Sequence, residues 1–173
     1  MGERQPFDVA SYVASIQSRG CFICGLVSGD PAFAHHLVYE DEFSIAFLNK
    51  FPPLPGYVLV CPKAHLEQVT GDFSRNDYLR LQALVHDVGE ALRATLETER
   101  IYILSLGSQQ ANHHVHWHVA ALPPGVPLEA QQFAALDTER AGYLAMTPEE
   151  TTALAHGLMA AIGVVRGRDG VQV

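Results

Sequence analysis

The sequence predicts an α+β domain: a five-stranded antiparallel sheet with one long helix packed on it, and further helices in its N- and C-terminal parts. Three observations carry this reading. Five short apolar segments are separated by turn residues. One long stretch, from Ser74 to about Glu97, has an apolar stripe at helical spacing. The fifth short segment alternates strictly between histidine and apolar residues, which is the side-chain period of a strand. With 173 residues, 48% of them hydrophobic, the chain suffices for one domain with a real core and falls short of two ordinary ones.

Asp8 to Gln17 reads as a short helix, because Val9, Tyr12, Val13 and Ile16 share a face, and Gly20 stops it. Cys21-Phe22-Ile23-Cys24 follows. This CxxC is open to three readings: a redox pair, two inert buried thiols, or half of a zinc site needing two more ligands. Leu37–Tyr39 and Phe43–Leu48 read as two strands of a hairpin about Glu40-Asp41-Glu42. Asn49 to Pro55 is a proline-rich turn that cannot continue a ladder. Gly56 to Pro62 is a third strand, apolar throughout and therefore central.

Ser74 or Asp77 caps the long helix, whose stripe runs Tyr78, Leu79, Leu81, Leu84, Val85, Val88, Leu92 and Leu96. Ile101–Leu106 is a fourth strand, Gly107–Asn112 a polar turn and His113–Leu122 the fifth strand, paired with the fourth as a hairpin. This order predicts a meander. Pro123 to Pro127 ends the sheet, and Leu128–Leu136 reads as a short helix. Thr147, Pro148 and Glu150 form a capping box that opens a last helix to about Gly163, with a frayed tail from Arg166. No internal repeat or domain linker interrupts the chain.

Composition excludes several functions. A net charge of −8 disfavours long nucleic acids, which require a basic surface, and leaves room for a small anionic substrate in a locally positive pocket. Three cysteines, Cys21, Cys24 and Cys61, do not make a disulfide framework, and Cys61 reads as core filling. The N-terminal residues lack the apolar run of a signal peptide, and no apolar stretch is long enough to span a membrane. A cytoplasmic location is the resulting expectation.

The row His114-Val115-His116-Trp117-His118-Val119 organises the chemistry. Its imidazoles leave one face of the strand and Val115, Trp117 and Val119 the other. Neighbouring histidines stand ~7 Å apart and the outer pair ~13 Å, too far for one metal to take all three. The spacing predicts divided labour, with one histidine serving a metal and the next doing chemistry about one phosphate-width away. An imidazole suits attack at phosphorus, because a pKa of ~6.5 leaves it largely neutral at physiological pH.

The pattern His-φ-His-φ-His-φ-φ resembles the histidine-triad family of nucleotide hydrolases and transferases, and the resemblance covers residues 21–122. That leaves 1–20 as a helical extension and 123–173 as a C-terminal segment with a terminal helix, part of the same globule. The resemblance implies the family's α+β fold and a homodimer. It implies that His116 is the nucleophile and forms a covalent nucleotidyl intermediate, that His118 contacts the phosphate or assists the leaving group, and that Gln110 hydrogen-bonds the phosphate region. It implies that Asn49 binds ribose. Tyr57 stands beside it where the family commonly has a histidine supporting the catalytic one, a role that a phenol can share in part. Ala111 replaces a common Ser or Thr. Family members with an N-terminal CxxC close a structural zinc site with a histidine of a Pro-Lys-x-His turn and the first triad histidine, which here gives Cys21, Cys24, His65 and His114. His35, His36 and His113 are rival ligands. The implied reaction is cleavage at the α-phosphate of a dinucleoside polyphosphate or a nucleoside phosphoramidate. A nucleotidyl transferase or phosphorylase, or a non-catalytic nucleotide-binding module on the same fold, are the alternatives.

Overall fold

The computed structural model describes residues 3–107 and 112–169. In chain order the elements are β1 (Arg4–Gln5), α1 (Val9–Arg19), α2 (Phe22–Val27), β2 (Leu37–Glu40), β3 (Ser44–Leu48), β4 (Val58–Pro62), α3 (Arg75–Thr95), β5 (Arg100–Leu104), β6 (Trp117–Leu122), α4 (Leu128–Ala134), α5 (Thr138–Ala141), β7 (Tyr143–Leu144) and α6 (Pro148–Asp169). Strands β2 to β6 make the expected five-stranded antiparallel sheet beside a long helix, an α+β architecture.

The strand order is β2-β3-β4-β6-β5, not a meander. After β4 the chain crosses the sheet through α3, so the return strand β5 lands on the edge and its hairpin partner β6 fills the gap beside β4. The histidine strand is therefore central. Its alternation sorts the two faces of the sheet. Val115, Trp117, Val119 and Ala121 pack with Val58 and Val60 under Leu81, Leu84, Val88 and Leu92 of α3 and Leu158 and Ile162 of α6. Ala120 and Leu122 continue the histidine face and pack with Ile45, Phe47, Leu59, Cys61 and Ile23.

The helices start where their side chains can satisfy free backbone N–H groups. Ser74 Oγ accepts from the Asp77 N–H at 3.1 Å, and Asp8 Oδ1 accepts from the Ser11 N–H at 3.0 Å. Thr147 and Glu150 exchange hydrogen bonds of 2.8 and 3.2 Å, the capping box expected of the last helix. That helix does not stop at Gly163 but continues to Asp169. Tertiary contact overrides the glycines: Arg166 donates to the buried Asp87 of α3 at 3.0 Å, and its guanidinium lies over the Tyr39 ring.

The short pairing of β1 with β7 was not expected. Arg4 lies opposite Leu144 and Gln5 opposite Tyr143. Gly142, at φ 72°, makes this approach possible, since a Cβ there would lie on the Gln5 carbonyl oxygen. Arg4 reinforces the pairing by donating to the carbonyls of Ala141, Gly142 and Pro53. Helix α1 thus starts from a point fastened to the C-terminal segment, and it buries none of its own residues.

Candidate active site and metal centre

The β6 ladder begins at Trp117, so His114, Val115 and His116 run ahead of it with a bend at His114, while Val115 still joins Trp117 in the core under α3. His114 is fully buried and His116 is 4% exposed. The rings of His116 and His118 lie 4.8 Å apart, centroid to centroid. A carbonyl only accepts, so the 2.7 Å contact between His116 Nδ1 and the His114 carbonyl fixes the proton on Nδ1. The Nε2 of a neutral His116 then carries the lone pair. Burial, partly offset by that hydrogen bond, lowers the pKa of His116 and favours this neutral form. Neither nitrogen of His118 has a partner among the described residues, although both are buried. Burial, and then the nearby His116, take its pKa down to about 3.

Cys21 caps α2, a helix that sequence spacing did not reveal, and holds Cys24 one turn away. His65 follows β4 in the Pro-Lys-Ala-His turn. The ligand atoms of Cys21, Cys24, His65 and His114 all lie within 4.8 Å of one another. Cys21 Sγ is 3.5 Å from His114 Nδ1, Cys24 Sγ 3.6 Å from the same atom, and Cys24 Sγ 3.1 Å from His65 Nδ1. Tetrahedral zinc with bonds of ~2.3 Å to sulfur and ~2.05 Å to nitrogen would separate them by about 3.6 Å. The four residues therefore lie close enough to hold one metal ion. Both imidazoles are oriented for it: His114 Nε2–H donates to the Pro62 carbonyl at 2.9 Å, and His65 Nε2 lies 3.2 Å from the Glu67 carboxylate. Burial, then the neighbouring Cys21, push the Cys24 thiol up to about 11, so two thiolates here call for a cation between them.

The rival ligands are elsewhere. His35 packs on Phe22 and Phe47, with Nδ1 on the Phe33 carbonyl at 2.6 Å and its pKa lowered to about 4, chiefly by burial. His113 turns to Glu67, 3.5 Å away, and His36 is not among the clustered ligands.

Asn49 closes the turn after β3. Its N–H donates to the Tyr57 carbonyl at 2.9 Å and its Oδ1 accepts from the Phe51 N–H at 3.0 Å. Tyr57 is 3% exposed, and burial raises the pKa of its phenol. Its ring meets His118 edge-on at 5.6 Å, but its hydroxyl donates to the Ala135 carbonyl at 3.1 Å, so the phenol faces the C-terminal segment rather than His116. Gln110 and Ala111 lie outside the described residues.

Asn49 lines a cavity of about 510 Å³ between α1 and the sheet. Tyr12 and Ile16 of α1 form one wall, Phe22 and His35 another, and Lys50, Phe51 and Tyr143 the rim. On the sheet it reaches Leu59, the ladder partner of His118. Tyr12 also ties α1 to the residues before the row, because Asn112 Nδ2 donates to its hydroxyl at 3.3 Å. Sequence reasoning missed this wall. Nothing in the spacing of α1 sets it apart from an ordinary packed helix.

A central strand with alternate imidazoles, a nucleoside-sized cavity beside it and a helix across the opposite sheet face define the class: a histidine-triad fold. Residues 32–123 match the HIT domain, and the chain belongs to that family. It is 31% identical to the protein hit of Bacillus subtilis over 109 residues, which cover 61% of this chain and 72% of that one. A HIT-like protein of Mycoplasma genitalium is 32% identical over 107 residues, 60% of this chain and 72% of that one. The fold is shared with a histidine triad nucleotide-binding protein from Sulfolobus tokodaii at TM-score 0.69 and 20% identity, covering 88% of this chain and 98% of that one. It is also shared with a Zn-bound histidine triad family protein from Mycobacterium smegmatis at TM-score 0.65 and 22% identity, covering 87% and 99%.

Proposed function

We propose that the protein is a nucleotide hydrolase that works through a covalent nucleotidyl-His116 intermediate. The observation that carries this reading is the lone pair on His116 Nε2, directed by the hydrogen bond from Nδ1 to the His114 carbonyl. In the first step Nε2 bonds to the α-phosphorus of a dinucleoside polyphosphate or nucleoside phosphoramidate. The bond from phosphorus to the leaving oxygen or nitrogen breaks, and the leaving group takes a proton from solvent, to which the attacking water of the second step returns one. In the second step water attacks the same phosphorus, the phosphorus–Nε2 bond breaks, and free His116 returns. His118, whose two nitrogens beside the nucleophile have no partner among the described residues, and Gln110 hydrogen-bond the phosphate oxygens and the departing group. Asn49 holds the ribose, and the Tyr57 ring supports His118 from the side.

In this reading Cys21, Cys24, His65 and His114 hold a structural zinc. With four protein ligands such an ion would be structural, fastening α2 to the turn after β4 and to the start of the row. The exposed Ile103 and Leu106, on or just beyond the edge strand β5, are covered in a homodimer.

The test compares wild type with His116→Ala on a panel of dinucleoside polyphosphates and nucleoside phosphoramidates, with mass spectrometry of the quenched protein. Turnover and a nucleotidyl adduct in wild type, both absent in the variant, support the reading. Equal turnover by both proteins overturns it.

A further inference from the structure

The cavity under α1 carries a charge opposite to that of the protein as a whole. The chain has a net charge of −8, yet the charged side chains around this cavity are Arg19, Lys50 and Asp8. Asp8 is already engaged: its two carboxylate oxygens accept from the Ser11 N–H and hydroxyl at 3.0 and 2.7 Å. Neither Arg19 nor Lys50 forms an ion pair among the described residues. Desolvation, and then the charge of Arg19, hold Lys50 below the usual lysine range, so the two cations sense each other across the rim. Two cations against one carboxylate leave this cavity net positive, and because that carboxylate is turned to Ser11, the cations favour an anion there.

Their position says which part of a ligand carries that anion. Leu48 pairs with Val58, and the Asn49 N–H bonds the Tyr57 carbonyl, so Lys50 follows about three residues from the level of Leu59 and His118. Three residues of rise and two strand spacings put the Lys50 backbone roughly 14 Å from that of His118. A nucleotide whose α-phosphate lies at the row and whose ribose lies at Asn49 brings its sugar hydroxyls toward Lys50, while the rest of a phosphate chain leaves on the other side. Arg19 sits on α1, outside residues 32–123, so the HIT domain itself does not supply it.

We propose that Arg19 and Lys50 form a subsite for a second phosphate carried on the ribose, at its 2′- or 3′-oxygen, so that the preferred ligands are nucleotides phosphorylated at both ends of the sugar. This rests on the nucleotide reading above and names the ligand class more narrowly. The subsite joins a helix from outside the family match to the turn that carries Asn49.

Calorimetric titration of the intact protein tests it with adenosine 5′-monophosphate, adenosine 2′,5′-bisphosphate, adenosine 3′,5′-bisphosphate and adenosine 5′-triphosphate. Each is run at low and moderate salt, on wild type and on Arg19→Gln/Lys50→Gln. Both side chains are exposed, so the double variant should fold, which circular dichroism checks. At least one bisphosphate should bind wild type ~10-fold more tightly than the monophosphate, less so as salt rises. The double variant should lose that advantage and keep its affinity for the monophosphate. Equal binding of mono- and bisphosphates overturns the subsite and leaves the nucleotide reading standing. A gain confined to the triphosphate assigns the cations to the phosphate chain and also overturns it. Binding of none of the four overturns both.

Discussion

Replacing His118 with leucine should flatten the acid side of the stability profile. The native fold holds this imidazole neutral by burial, with its pKa down at about 3, while in the unfolded chain it titrates near ~6.5. The native value is the lower one, so stability is unaffected above ~6.5 and falls as the pH drops below it, because only the unfolded chain takes up the proton. At pH 5 that proton stabilises the unfolded chain by RT ln(1 + 10^1.5), about 2 kcal/mol, against about 0.2 kcal/mol at pH 7. Contributions common to both proteins cancel in the comparison. Urea unfolding followed by the buried Trp117, the single tryptophan, gives the two stabilities at pH 7.0 and pH 5.0. Wild type should lose ~2 kcal/mol more than His118→Leu between them. At pH 7 the variant should be no less stable, since it removes two buried nitrogens that have no partner among the described residues. Parallel pH profiles would refute the reasoning, and with it the claim that the fold keeps this ring desolvated and neutral.

Two other outcomes follow from the geometry. Cys24→Ser, or a strong chelator applied to wild type, should remove about one equivalent of zinc and cost ~2–4 kcal/mol of stability; purified wild type without zinc by elemental analysis, and indifferent to chelator, would defeat the four-ligand centre. Gly142→Ala should separate β1 from β7 and cost about 1–3 kcal/mol, because the new Cβ falls on the Gln5 carbonyl oxygen at a positive φ. Limited proteolysis should then cut α1 faster than in wild type, and an unchanged digestion pattern would count against the role given to that pairing.

The histidine strand was legible because its chemistry and its burial share one period: the same alternation that spaces His114, His116 and His118 sends Val115, Trp117 and Val119 into the core under α3. The four clustered ligands were legible only through the family resemblance, since CxxC alone is compatible with redox or inert thiols. The strand order was not, because local pattern does not say on which side of β4 the chain returns after α3. Gly163 and Gly167 hid the true length of α6, which the Arg166–Asp87 contact decides. Strands of two residues, β1 and β7, carry no periodicity at all. Arg19 and Lys50 look like any solvated cations until the fold brings them to one rim.

The fastening of β1 to β7 makes the two flanks of the family core a matched set. Residues 3–20 find their place through backbone partners at 143–145, and Tyr143 in turn packs on Phe7 and Phe51. A chimera that grafts the flank of one relative onto the core of another would leave unpaired edges and a gap in the wall unless both flanks travel together.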